Sequence, residues 1–182
     1  MKRKLAAAVA LVLMLAPVLA AAKMGPAATR ALNAGKEHLR RDEYDLAAQS
    51  FTKLVGLAPA DKLAYDLRAS TYLRMENLDL AQEDITESQK LDADEQTGYF
   101  ANWLSGIVLL HQGNTAGADS ALALAARGTP SVAGLRIARA RQYADSILGG
   151  VQDSIGMTAL PYNQKLAELL LDECIDVQLF GE

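Results

Sequence analysis

From residue 28 to residue 130 the small and apolar positions of this chain recur in one order, three times. Gly35 is followed twelve residues later by Ala47, then after four by Phe51 and after eight more by Pro59. Ala69, Ala81, Ile85 and Ala93 repeat the order 34 residues on, and Gly106, Ala118, Leu122 and Pro130 repeat it 37 residues after that. His38, Tyr72 and Leu109 keep the same spacing. Within each pass the apolar positions fall at helical intervals, which predicts two helices per pass. The expected pairs are 27–41 with 42–57, 61–75 with 78–91, and 95–112 with 115–127. Asp42 and Asp61 fit N-caps, and Glu76-Asn77 fits a turn. Gly113-Asn114 is the signal of a left-handed cap. Pro59 and Pro130 end second helices, because proline cannot continue one. The second pass ends without proline, at Leu91-Asp92-Ala93-Asp94.

The spacing has a packing reason. Two helices that cross closely need a side chain no larger than a methyl at the crossing. Gly35, Ala69 and Gly106 supply that in the first helix of each pair; Ala47, Ala81 and Ala118 supply it in the second. Phe51, Ile85 and Leu122 lie one turn further on the same face. One such hairpin cannot bury its apolar face alone, so neighbours must stack.

A period near 34 made of two short helices resembles the tetratricopeptide repeat. The resemblance implies an all-α, right-handed solenoid of helix-turn-helix hairpins, with repeats at about 28–61, 62–95 and 99–132. Beyond Pro130 the order decays. Ala140 and Tyr143 still match a first helix over 131–148, but Gln152 and Gly156 stand where an alanine and an apolar residue belong. Gly149-Gly150 ends that helix, and 151–160 reads as irregular or one short turn. Pro161 starts a last helix with Leu166, Leu169, Leu170, Cys174 and Val177 on one face. The expectation for 131–182 is a degenerate repeat helix followed by a capping helix that closes the open end of the stack.

The N-terminus changes the picture of where the chain works. Lys2, Arg3 and Lys4 precede an apolar run from Leu5, and Pro17 stands before Val18-Leu19-Ala20-Ala21-Ala22. This is the pattern of a signal peptide over 1–22, cleaved after Ala22 or Ala20, with 23–26 as a tether. The expected location is periplasmic or secreted. An uncleaved, inner-membrane-anchored form is the alternative, since 18 apolar residues reach the lower limit for spanning. Composition is otherwise that of an ordinary soluble helical protein: 182 residues, 51% hydrophobic and 22% charged. Without residues 1–22 the chain keeps 15 basic against 22 acidic residues, which argues against nucleic acid or anionic membrane as partner.

No catalytic constellation is legible. The two histidines and one cysteine form no metal or nucleophile motif, and no phosphate-binding glycine run is present. His38 shares the slot of Tyr72 and Leu109 and is expected to pack inside. The acids of 76–87 and 92–95 lack the glycine-centred loop of a calcium hand and read as a solvated face. Cys174, flanked at helical spacing by Leu170 and Val177, reads as a buried thiol. The expectation is therefore no enzyme, no cofactor and no metal, with an enzyme whose site goes unrecognised as the least favoured alternative.

The resemblance instead directs attention to the concave groove lined by first helices. By register the groove-facing set is Leu32, Lys36, Leu39 and Arg40; then Asp66, Ser70, Leu73 and Arg74; then Trp103, Ile107, Leu110 and His111. Of these, Lys36, Arg40, Asp66, Ser70, Arg74, Trp103, Ile107 and His111 are the candidate partner-binding residues. Arg40, Arg74 and His111 share one slot and would stack as a basic ladder, suited to acidic side chains or a free carboxylate. Each also sits in the last turn of its helix, where a cation complements the helix dipole. Leu32 and Leu67 stand where a carboxylate clamp of the family would need polar residues. Trp103 lies in a helix apolar on almost every side, which favours a core position. The expected function is a scaffold that holds a protein or peptide segment in this groove. The alternative is an anchored assembly factor or a homo-oligomer formed through the last helix.

Overall fold

A computed structural model describes residues 24–91, 99–128, 133–145 and 159–180. The proposed signal peptide, positions 92–94 of the boundary without proline, Pro130 and positions 151–158 of the stretch read as irregular lie outside the described residues. Ala159 and Leu160, read as part of that stretch, are already helical, so the last helix starts two residues before Pro161, a residue that fits the first turn. Among the described residues the chain is all-helical, with eight helices: α1 Pro26–Arg40, α2 Tyr44–Leu57, α3 Lys62–Arg74, α4 Leu78–Leu91, α5 Tyr99–His111, α6 Thr115–Gly128, α7 Ala133–Ala144 and α8 Ala159–Phe180. Helices α1 and α2, α3 and α4, and α5 and α6 pack as hairpins. Each hairpin also touches the next, so the whole is a solenoid of stacked pairs.

The crossings fall where the small residues predict. A Cβ added at Gly35 would lie 2.4 Å from the Phe51 ring, and one at Gly106 would lie 2.7 Å from Leu122 Cγ. Phe51 and Leu122 thus fill the space that glycine leaves, and Ala69 and Ile85 are both fully buried at the equivalent places. Ala47, Ala81 and Ala118 are fully buried on the second helices.

The turn inside each hairpin repeats as closely as the crossing. Asp42, Glu76 and Gly113 adopt φ of 58°, 57° and 74°. The amides of Glu43, Asn77 and Asn114 reach back to the carbonyls of His38, Tyr72 and Leu109 at 3.0, 2.9 and 2.8 Å. The amides of Asp42, Glu76 and Gly113 reach Leu39, Leu73 and Leu110. These paired bonds are the Schellman closure of a helix C-terminus, and the third copy uses the glycine it favours. Asp42 is therefore not an N-cap. It takes the left-handed position, and its carboxylate accepts from the Tyr44 hydroxyl at 2.8 Å. Asp61 does cap α3, accepting from the Leu63 amide at 3.0 Å. Asn77 and Asn114 cap α4 and α6 in the same way. His38 is half-buried instead of interior, with Nδ1 2.5 Å from Glu43 Oε2.

One lock across the repeats was not foreseen. Arg68 on α3 grips Asp84 on α4 through two bonds of 2.8 and 2.6 Å, and its third nitrogen reaches Thr52 on α2 at 3.3 Å. Tyr65 and Tyr72 flank the guanidinium, each with its ring centroid 5.9 Å away. Asp84 is 97% buried, so the pair ties three helices together at a desolvated point. Burial pushes the Asp84 carboxyl above its usual range, outweighing the pull of Arg68.

Candidate functional site

The first helices of the hairpins present one continuous inner face, and α8 lies on it. Its 22 residues span roughly 33 Å at 1.5 Å per residue. It packs on α7, α5 and α3 and reaches α1 at its far end. The helix expected to close the end of the stack thus continues along the groove. Its apolar stripe faces inward: Leu166, Leu170, Cys174 and Val177 are buried, and Leu169 is half-buried. The central helices α3 and α5 are consequently covered nearly all round. This is why their sequences lack a clean polar side.

Contacts along α8 follow its direction. At its start, Asn163 donates to the Thr115 hydroxyl of α6 at 3.2 Å, and the Tyr162 hydroxyl donates to Asp145 at 2.7 Å. Burial, then the Asp145 carboxylate, pushes the Tyr162 phenol up to about 12. At mid-length two adjacent acids are gripped from both sides. Asp172 pairs with Arg74 of α3; Glu173 pairs with Arg136 of α7 at 2.6 Å and stands 3.8 Å from Arg139. At its end, Lys36 Nζ donates to the Gln178 carbonyl at 2.6 Å, and Arg40 stands 5.3 Å from the centroid of the Phe180 ring. That carbonyl is one of the last four of α8, which have no partner within the helix. Burial, then the charge of Arg40, holds the Lys36 ammonium below its ordinary range.

Beneath α8 the groove floor is partly polar. The Ser70 hydroxyl donates to the Asp66 carbonyl at 2.9 Å and lies 2.7 Å from the side-chain amide of Gln178. Cys174 is a free, fully buried thiol, pushed well up by burial and further by the charge of Asp66. Trp103 Nε1 and Gln178 Nε2 are buried without a hydrogen-bond acceptor among the described residues.

Five of the eight candidate residues meet α8, so the open groove expected for them is filled there by the chain itself. Lys36, Arg40, Ser70 and Arg74 bond to or stack on α8 directly. Asp66 is buried and acts on Cys174 of α8. Trp103 and Ile107 are fully buried, the core position favoured for the tryptophan. His111 is half-buried at the end of α5. The basic ladder is divided: Arg40 also bonds Glu37 at 3.2 Å, and Arg74 takes Asp172. Sequence reasoning missed Asp172, Glu173 and Gln178 because a last amphipathic helix reads the same whether it caps a stack or lines one. The signal available was the pair of adjacent acids on a helix that follows arginine-bearing ones.

On the opposite side, Asp79, Glu83 and Glu87 of α4 are exposed around the Arg68–Asp84 pair, along an open hollow of about 700 Å³. No group of three or more His, Cys, Asp or Glu among the described residues is arranged to hold a metal ion. Nor is any described helix long and apolar enough to cross a membrane. Comparison with protein-family models, with curated proteins and with solved structures finds no match to this chain.

Proposed function

We propose that this chain is a non-enzymatic interaction scaffold of the tetratricopeptide-repeat kind, which binds a helical protein segment along the inner face of its hairpins. One observation carries the reading. That face accommodates an amphipathic helix along its length, meeting its acids with Arg74 and Arg136 and its C-terminal carbonyls with Lys36. A surface so matched to a helix is an interaction surface in kind, and nothing about it calls for chemistry on a substrate. The proposed site comprises Lys36, Arg40, Asp66, Ser70, Arg74, Trp103, Ile107 and His111. The proposed partner segment carries acidic side chains or a free carboxylate. Export through residues 1–22 places the activity in the periplasm or outside the cell. Retention of that segment makes the protein an anchored assembly factor instead, and the mass of the protein recovered from cells separates the two. Self-association through the apolar face of α8 requires that helix to leave its own chain first, because the face is buried there.

The test is photo-cross-linking from p-benzoylphenylalanine placed at position 111, in the cells that make the protein. The expected result is an adduct with a second protein, whose purified helical segment then binds saturably and loses affinity as salt is raised. Adducts only within the chain, with no segment binding, contradict the proposal.

A further inference from the structure

We infer that α8 holds the groove as an internal substitute, and that the partner is an acidic amphipathic helix which enters in trans by displacing it. The inference rests on the scaffold reading and names the partner's chemistry.

What the groove offers would serve any helix of the right pattern. Lys36 binds a main-chain carbonyl at the end of α8, a contact that no side chain specifies. Helix C-termini all expose such carbonyls and carry partial negative charge, which Lys36 and Arg40 complement. Arg74 and Arg136, on separate helices, specify two adjacent carboxylates one turn or more before that end. Ser70 specifies a hydrogen-bonding side chain near it, and Arg40 an aromatic ring.

The fit of α8 is also incomplete in a way the hairpin crossings are not. At Gly35 and Gly106 the crossing is filled by Phe51 and Leu122, carbon against carbon. Under α8 one end of the Gln178 side-chain amide meets the Ser70 hydroxyl at 2.7 Å, and the other end is buried without a partner among the described residues. Trp103 Nε1, on the inner face by register, is buried without an acceptor among the described residues. Buried donors without acceptors lower the stability of the interface that holds them. Of the two ion pairs that hold α8, the one to α3 is shallow, since Asp172 remains 55% exposed beside Arg74, while Glu173 is 17% exposed beside Arg136. A helix from another protein that places an oxygen where the Trp103 indole N–H points gains a contact that α8 lacks. The helix held through these imperfect contacts is therefore the one that opens.

The experiment uses the full chain and a fluorescein-labelled peptide with the sequence of residues 159–180. Asp172→Arg sets like charges against Arg74 within the chain and leaves every groove residue in place. Fluorescence anisotropy should show the peptide binding this variant at least about 10-fold more tightly than the unaltered chain, because a larger fraction of molecules has a vacant groove. Adding Arg74→Asp to the variant should abolish that gain. No gain, or a gain indifferent to Arg74→Asp, overturns the inference. Hydrogen exchange of the unaltered chain gives a reading that needs no variant: the amides of α8 should exchange faster than those of α5 and α6. Equal, slow exchange across all three overturns the inference. A partner captured from position 111 while α8 proves immovable sinks this inference and spares the scaffold. Peptide entry with no partner captured does the reverse.

Discussion

A leucine at position 106 has nowhere to go: the space beyond the Gly106 Cα is occupied by Leu122, 2.7 Å from where a Cβ would stand. Gly106→Leu should lower the urea midpoint of unfolding by the equivalent of about 1–3 kcal/mol or more. Gly56, which has nothing within 4 Å of a built Cβ, gives the contrast. Gly56→Ala should be neutral or raise stability by up to about 1 kcal/mol, as alanine does within helices. If the two substitutions behaved alike, the assigned crossings would be wrong. Arg68 belongs to the same scale. Arg68→Ala leaves the buried Asp84 carboxyl without its partner, and the cost should be about 3–5 kcal/mol. Arg68→Lys should recover only part of it, since an ammonium cannot make the paired bonds. Both are read by chemical denaturation. The crossings were legible because a small residue opposite a large one leaves a trace at fixed spacing. The Arg68–Asp84 lock left none. It occurs in one repeat, where the equivalent first-helix positions are Ala34 and Ser105, and an arginine sixteen residues before an aspartate signals nothing in a linear chain.

At the scale of elements, the existence and pairing of helices followed from the repeat, and the turn markers carried the closures. Gly113 announced a left-handed residue; Asp42 and Glu76 concealed the same conformation behind side chains that disfavour it. Glu76→Gly should therefore raise stability by about 1 kcal/mol, measurable as an upward shift in Tm, and a fall would mean the turn is not closed as described. The role of α8 was the least legible, because its apolar stripe specifies that it must be covered and not by what. Its N-terminal anchor offers a pH test. The Tyr162 phenol titrates at about 12 in the folded chain against about 10 when unfolded. A raised folded value means that its contribution is intact below pH 10 and is lost as pH rises from 10 to 12. The stability of the unaltered chain should fall across that window more than that of Tyr162→Phe. Parallel curves would show that the phenol is not held by Asp145.

The whole molecule is a helical-repeat solenoid whose inner face is covered, from α7 back to α1, by its own last helix. The basic positions of that face and the acids of α8 explain how an acidic chain forms a charged interface within itself. That same complementarity underlies the proposed partner. Phe180 gives direct access to that arrangement, being largely exposed while its ring lies 5.3 Å from the Arg40 guanidinium, 140 positions earlier in the chain. With p-benzoylphenylalanine at position 180 and the protein dilute, illumination followed by mass spectrometry should yield an intramolecular cross-link to the 36–40 segment of α1. Cross-links confined to α7, or formed only between molecules, would mean that α8 does not reach α1.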